Sequence, residues 1–267
     1  MKAKSFFQLS AMGAFTAIAG LAFLSPESVS AQTVAAEDSA SITIMVPADG
    51  TAVSYTVGGA TFWIQPGNTV ALPAAATNIQ LTPGAVVIAN VRRPDGSETT
   101  ANVELTSATT LPAVTSADIS QTLAGSSAPI QVISITDVQA NGDSTTIDVA
   151  NRTTTVVEGN KTTVISRSGP SMTSTTTIQE AGGTTTVTTV VDLATGTGTT
   201  TVTSPSGTTT EPATSAQVNA IQQATPSSGQ QNTGGAIQAL VEAADQVQND
   251  AADIATTSGV GGTDSNG

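Results

Sequence analysis

Residues 171–204 read SMTSTTTIQEAGGTTTVTTVVDLATGTGTTTVTS. Threonine carries a branched β-carbon and fits an extended, pleated backbone. Thr173 to Gln179, Thr184 to Asp192 and Thr199 to Ser204 form three such runs, punctuated by Gly182-Gly183 and by Thr195 to Gly198. Successive strands joined by tight turns predict an antiparallel β-meander. More than a third of the residues between Thr145 and Thr210 are threonine. Triplets such as Thr153-Thr154-Thr155, Thr175-Thr176-Thr177 and Thr184-Thr185-Thr186 place hydroxyls on both faces of the pleat. The expectation is therefore a sheet partly wet on both sides, with weakly specified register: a ribbon, a stalk or a sheet completed by a partner.

Upstream, the same pattern reaches back to Ile130. Gln131 to Val138 and Thr145 to Val149 flank Asn141-Gly142, a strong hairpin signal. Thr153 to Val157 and Thr162 to Arg167 follow, so the meander is assigned to residues 130–211. Residues 112–129 are rich in Ser, Thr, Ala and Pro and read as a linker between domains, weakly helical near Asp118 to Leu123. Residues 41–111 hold short β-rich runs between Gly and Pro turn signals, which predicts a small sandwich- or barrel-like domain. Phe62 and Trp63 are its expected core anchors.

Downstream, residues 212–256 turn helical. Thr214-Ser215-Ala216-Gln217 has the form of a capping box, opening a short helix that ends before Pro226. A Gln/Gly/Ser linker follows from Ser227 to Gly235. Ile237, Leu240, Val241, Ala244, Val247, Ala251 and Ile254 then fall on one face of a helix. Packing on the protein's own sheet is the first expectation for that stripe. Ile237, Leu240, Val241, Ala244, Val247 and Ile254 are also the candidate residues for binding a partner. Residues 257–267 are expected to be disordered. The fold class is thus mainly β: a small N-terminal sandwich- or barrel-like domain, a Thr-rich antiparallel meander, and one or two C-terminal helices.

The N-terminus carries Lys2 and Lys4, an apolar run from Phe6 to Leu24, and small residues at Val29-Ser30-Ala31. These are the three parts of a secretory signal, with cleavage expected after Ala31 and a flexible start over residues 32–40. A retained membrane anchor is the competing reading, disfavoured by Pro26 and the small-residue site. The expected product is secreted or periplasmic, without stable membrane insertion after cleavage. Loss of Lys2, Lys4 and Glu27 takes 7 basic and 20 acidic residues to 5 and 19, a net charge of −14. So few cations leave no footprint for nucleic acid and little for anionic lipid.

There is no histidine and no cysteine, which removes Ser-His-Asp and Cys-His nucleophiles and the usual zinc and copper sites. A carboxylate pair working as a glycosidase, or Lys161 activating a serine, would be the surviving enzymatic routes. Neither has a supporting motif. No cofactor is expected. A weak calcium candidate is formed by Asp137, Asn141, Asp143 and Asp148, spaced somewhat like an EF-hand loop, although a plain Asn-Gly hairpin accounts for the same residues. Asn151-Arg152-Thr153 and Asn160-Lys161-Thr162 match the glycosylation sequon.

Thr-x-Thr spacing repeats at about 6.7 Å along a strand, with about 4.8 Å between strands, a grid that resembles the surfaces of ice-binding proteins. The functional expectation is an exported, non-enzymatic structural or binding protein of the cell envelope or extracellular space. An ice- or carbohydrate-binding surface is the alternative, and a carboxylate-dependent hydrolase is the less favoured one. Its partners would be an envelope or extracellular protein or a polysaccharide, with self-association through open sheet edges or the C-terminal helix.

Overall fold

The strands that the Thr-rich pattern predicts lie side by side in one sheet that also takes in the N-terminal half of the chain. The computed structural model describes residues 38–123, 130–227 and 234–257. The expected export signal with Ala31, the expected flexible start up to residue 37 and the tail from residue 258 lie outside the described residues, as do parts of both expected linkers.

In chain order the elements begin with β1 (Ser39–Met45), β2 (Val53–Val57), β3 (Ala60–Ile64), β4 (Thr69–Ala71) and β5 (Thr77–Leu81). There follow β6 (Val86–Arg92), β7 (Glu98–Leu105), β8 (Thr109–Ala113) and helix α1 (Ser116–Leu123). The meander comprises β9 (Ile130–Val138), β10 (Ser144–Asp148), β11 (Thr153–Glu158), β12 (Lys161–Ser168), β13 (Ser171–Glu180), β14 (Gly183–Asp192), β15 (Thr197–Ser204) and β16 (Gly207–Pro212). Helices α2 (Ser215–Ala224) and α3 (Gly234–Thr257) close the described chain.

Twelve strands form one antiparallel sheet in the order β16-β15-β14-β13-β12-β11-β10-β9-β7-β6-β1-β4. The remaining four make a second sheet, β3-β2-β5-β8. The expected separation of the N-terminal β-domain from the meander is not visible in the backbone pairing. β7 pairs directly with β9 from Glu98↔Val138 to Leu105↔Ile130. β8, which joins the small sheet, overlaps the expected 112–129 linker only at Pro112 and Ala113, and α1 lies within it.

One face of the large sheet is dry from β1 to β15, whereas β16 at its edge is exposed throughout. The small sheet covers its N-terminal half through a core of Ile42, Ile44, Val53, Ile64, Ile79, Leu81, Val87, Leu105 and Leu111. Helix α3 runs on from there, burying Ile237, Leu240 and Val241 against that core. Its middle packs with α2 on Val156, Ile165, Met172 and Val191, and its end on Ile178, Val187 and Val202. Helix α2 starts with the predicted capping box: Gln217 N donates to Thr214 Oγ1, and Thr214 N donates to Gln217 Oε1. The chain enters α2 beside Gly198, where a Cβ would come within 2.9 Å of Val190 O and 3.1 Å of Ala213 Cβ. Only a residue without a side chain lets the two segments approach so closely.

The expectation of a meander wet on both sides does not hold over β11–β15. Thr154, Thr163, Ser174, Thr176, Thr185, Thr189 and Thr200 are buried on the helix-covered face. Burying a hydroxyl is tolerated only if it finds a partner. Thr163 and Thr176, opposite each other in the register, hydrogen-bond at 2.9 Å. Thr189 and Thr200 do the same at 3.0 Å. Thr154 donates at 2.7 Å to the carbonyl of Ala224, one of the last-turn acceptors that α2 cannot satisfy internally. These threonines lie on the same buried face as Val156, Ile165, Met172, Ile178, Val187, Val191 and Val202, so threonine serves as a core residue with a directional bond.

The small sheet brings a second difference. Trp63 is 62 % exposed and Phe62 46 %, while Ile64 supplies the buried anchor of β3. β3 is an edge strand, and strand alternation sends adjacent aromatics to opposite faces. Phe62 stacks on Tyr55 at 5.5 Å between ring centroids, at the rim of the core. Trp63 points the other way.

The buried hydroxyl pairs predict an asymmetric mutational response. Thr163→Val leaves the Thr176 hydroxyl buried without its partner and is expected to cost about 1–3 kcal/mol. Adding Thr176→Val removes the orphan and restores most of that loss, because both groups are then apolar and of similar shape. Urea unfolding of the two variants checks this; additive losses would contradict the pairing.

Candidate functional site

The hairpin of β9 and β10 carries the four residues with calcium-like spacing, and the pleat separates them. Asp137 lies on the inner face, 3 % exposed, and accepts a 2.6 Å hydrogen bond from Thr99 Oγ1. Burial raises its carboxyl above the usual range, against the opposing effects of that hydrogen bond and of the Arg93 charge. Asp148 faces the other side of the sheet and accepts from Asn151 N at 2.9 Å and Asn151 Nδ2 at 2.7 Å. Asn141 and Asp143 clasp each other across the turn, and Asp143 Oδ1 also accepts from Gly159 N at 2.8 Å. The structure does not bring the four together. Among the described residues no group of three or more His, Cys, Asp or Glu could hold a metal ion.

The apolar stripe of α3 is occupied within the chain. Ile237, Leu240, Val241, Ala244 and Val247 are buried on the sheet or α2, and Ile254 is half-buried against the end of the core. Gln248 is completely buried beside them, its Nε2 donating to Val156 O at 3.3 Å and its Oε1 lacking a partner. Among the described residues no helix is long and apolar enough to cross a membrane.

The sheet's opposite face is where the structure assembles something that the sequence only hinted at. Following the register from β6 to β16, one cross-strand row reads Asn90, Thr100, Thr136, Thr146, Thr155, Val164, Thr175, Thr188, Thr201, Thr210. Two residues away along the strands lie Thr173, Val190 and Thr199 on one side and Thr177, Thr186 and Thr203 on the other. The small sheet and both C-terminal helices lie against the inner face, and most of these outer side chains are half-buried within the sheet, while Val164, Val190, Thr199, Thr203 and Thr210 are exposed. Four of the exposed large apolar residues, Met45, Ile88, Val164 and Val190, stand on this same face. The result is a repeating hydroxyl–methyl surface. Some hydroxyls pair across strands, Thr136 with Thr146 and Thr201 with Thr210, each at 3.2 Å.

Lys161, at the β11–β12 turn, forms an ion pair with Glu158 at 3.2 Å. A cleft between the helices and β13–β14 offers about 10 Å³, about one water's worth of room, with Asp250 as its single carboxylate. Asp245 on α3 is pushed up to about 6 by burial and by Glu158, with Lys161 opposing and Glu242 adding to the rise. Because the folded state holds this proton more tightly than the unfolded chain, Asp245 favours folding most below pH 4. That contribution declines as the pH rises from about 4 to 6. Asp245→Asn is therefore expected to raise stability at pH 7 and to flatten the pH dependence across that window, measured by thermal unfolding between pH 3 and 8.

No family model, curated protein or solved structure matches the chain.

Proposed function

We propose that this chain is an exported, non-enzymatic binding protein of the cell envelope or extracellular space. Its working surface is the Thr-rich outer face of the large sheet, and its ligand is a neutral polysaccharide. The observation that carries the reading is the unbroken register from β9 to β16, which lines threonines up across successive strands. A surface of alternating hydroxyls and methyls matches a ligand that itself repeats hydroxyls and C–H groups. The same rows carry few charges, in keeping with an uncharged polymer. Export rests on the three-part N-terminal signal.

Ice is the other repetitive ligand that such a grid suits, and geometry ranks it second. Neighbouring strands rotate by roughly 20–25°, so four strands turn by about 60–75°. A flexible polymer follows that twist, whereas a crystal plane meets only a few strands at a time.

Co-sedimentation of the mature chain with insoluble cellulose, chitin and β-1,3-glucan tests the reading. Binding to at least one of these is expected, with no release of reducing ends. The double variant Thr175→Lys, Thr188→Lys should lose at least tenfold in bound fraction while keeping its circular dichroism spectrum. Thermal hysteresis without polysaccharide binding would replace the polymer with ice, and binding unaffected by the double variant would remove the Thr face from the function.

A further inference from the structure

We infer that the outer face of the small sheet is a separate sugar-binding platform, built on Trp63, that takes the apolar face of a neutral pyranose ring. The inference stands apart from the reading of the Thr-rich face, because the two surfaces belong to different sheets.

Trp63 is the only tryptophan of the chain, and it is 62 % exposed on an edge strand. An indole left in water forgoes the burial that makes Trp a strong core residue. Its surroundings are therefore the informative part. The register places Trp63 opposite Ser54, Ser54 opposite Gln80, and Gln80 opposite Thr110, in one row across β3-β2-β5-β8. Ser54 is small and buried, so the row dips between the indole and the amide. Gln80 lies two strands from Trp63, about 10 Å at the usual strand spacing.

The amide is also held in place. Thr110 Oγ1 donates to Gln80 Oε1 at 3.0 Å, and Gln80 Nε2 donates to Asn78 Oδ1 at 2.7 Å. This fixes the amide's orientation and leaves its second N–H and the Asn78 amide hydrogens available to a ligand. A pre-oriented amide loses less entropy on binding than a free one. The row contains no ionisable group, so nothing in it selects for charge. An electron-rich ring face beside fixed neutral donors and acceptors suits a molecule with C–H groups on one side and hydroxyls at its edge. That is the chemistry of a neutral sugar.

Trp63 also supplies the measurement, since all tryptophan fluorescence comes from this one site. The mature chain is titrated with cello-, chito-, laminari-, manno- and xylo-oligosaccharides up to millimolar concentration. A saturable change in emission with at least one neutral oligosaccharide is expected. Gln80→Ala, at an exposed position, should weaken that response about tenfold, the loss of about one hydrogen bond. Trp63→Ala should abolish the corresponding heat in calorimetry, and the double variant Thr175→Lys, Thr188→Lys should leave the response unchanged. No emission change with any of the five, or an equal response from Gln80→Ala, overturns the platform. Loss of the response in the Thr175, Thr188 double variant would assign sugar binding to the large sheet instead.

Discussion

Buried threonine hydroxyls have to find partners, and much of the architecture of this chain follows from that requirement. On the inner face of the meander Thr163 meets Thr176, Thr189 meets Thr200, and Thr154 meets the end of α2. Because a one-residue slip would exchange the two faces of a strand, these bonds act with Val156, Val187 and Val202 to fix the pairing. The fixed pairing in turn aligns the outer rows. Order on the exposed surface is thus a by-product of constraints on the buried one.

Strand positions were largely legible in the sequence, because Gly, Pro and Asn-Gly punctuation marks nearly every turn of the meander. The capping box at Thr214 and the apolar stripe of α3 were equally plain. Two strands escaped. β8 contains Pro112 and runs into linker-like composition, while β16 is exposed at all six positions and is held by its backbone bonds to β15 and by exposed hydroxyl contacts such as Thr201 with Thr210. Threonine was the source of the larger miss. A pattern of apolar and polar letters counts Thr163 and Thr176 as polar, whereas the fold uses their methyls as core and joins their hydroxyls to each other. Likewise, nothing local says that β7 will accept β9 as neighbour across residues that look like a linker. The candidate surfaces were less legible still. Thr-x-Thr spacing suggested a grid, but its continuity over many strands depends on pairings that only the fold supplies. Trp63 read as core because aromatics in strands usually are; its exposure follows from the edge position of β3.

Polar groups at the helix–sheet contact contrast with the hydroxyl pairs. Gln248 enters the core with one amide atom bonded and the other unmatched, and Asp245 is held among two carboxylates and one ammonium group. Neither is the most stable choice for its position, since an apolar residue of the same shape would avoid the desolvation. Both lie where α3 crosses β11 and β12. The seat of the helix is therefore less strongly held there than along its Ala- and Val-rich stretches.

The length of α3 sets a limit that the meander itself does not. At about 1.5 Å per residue its 24 residues reach about 36 Å, which spans about seven strands at 4.8 Å each. Hairpins can be added to a meander without disturbing their neighbours, but only strands beneath this ruler obtain a dry face. β16, exposed throughout, stands beyond it. In such a fold the helix acts as a gauge: a wider sheet would need a longer helix, and a shorter helix would leave hydroxyl–valine faces such as those of β14 and β15 open to water.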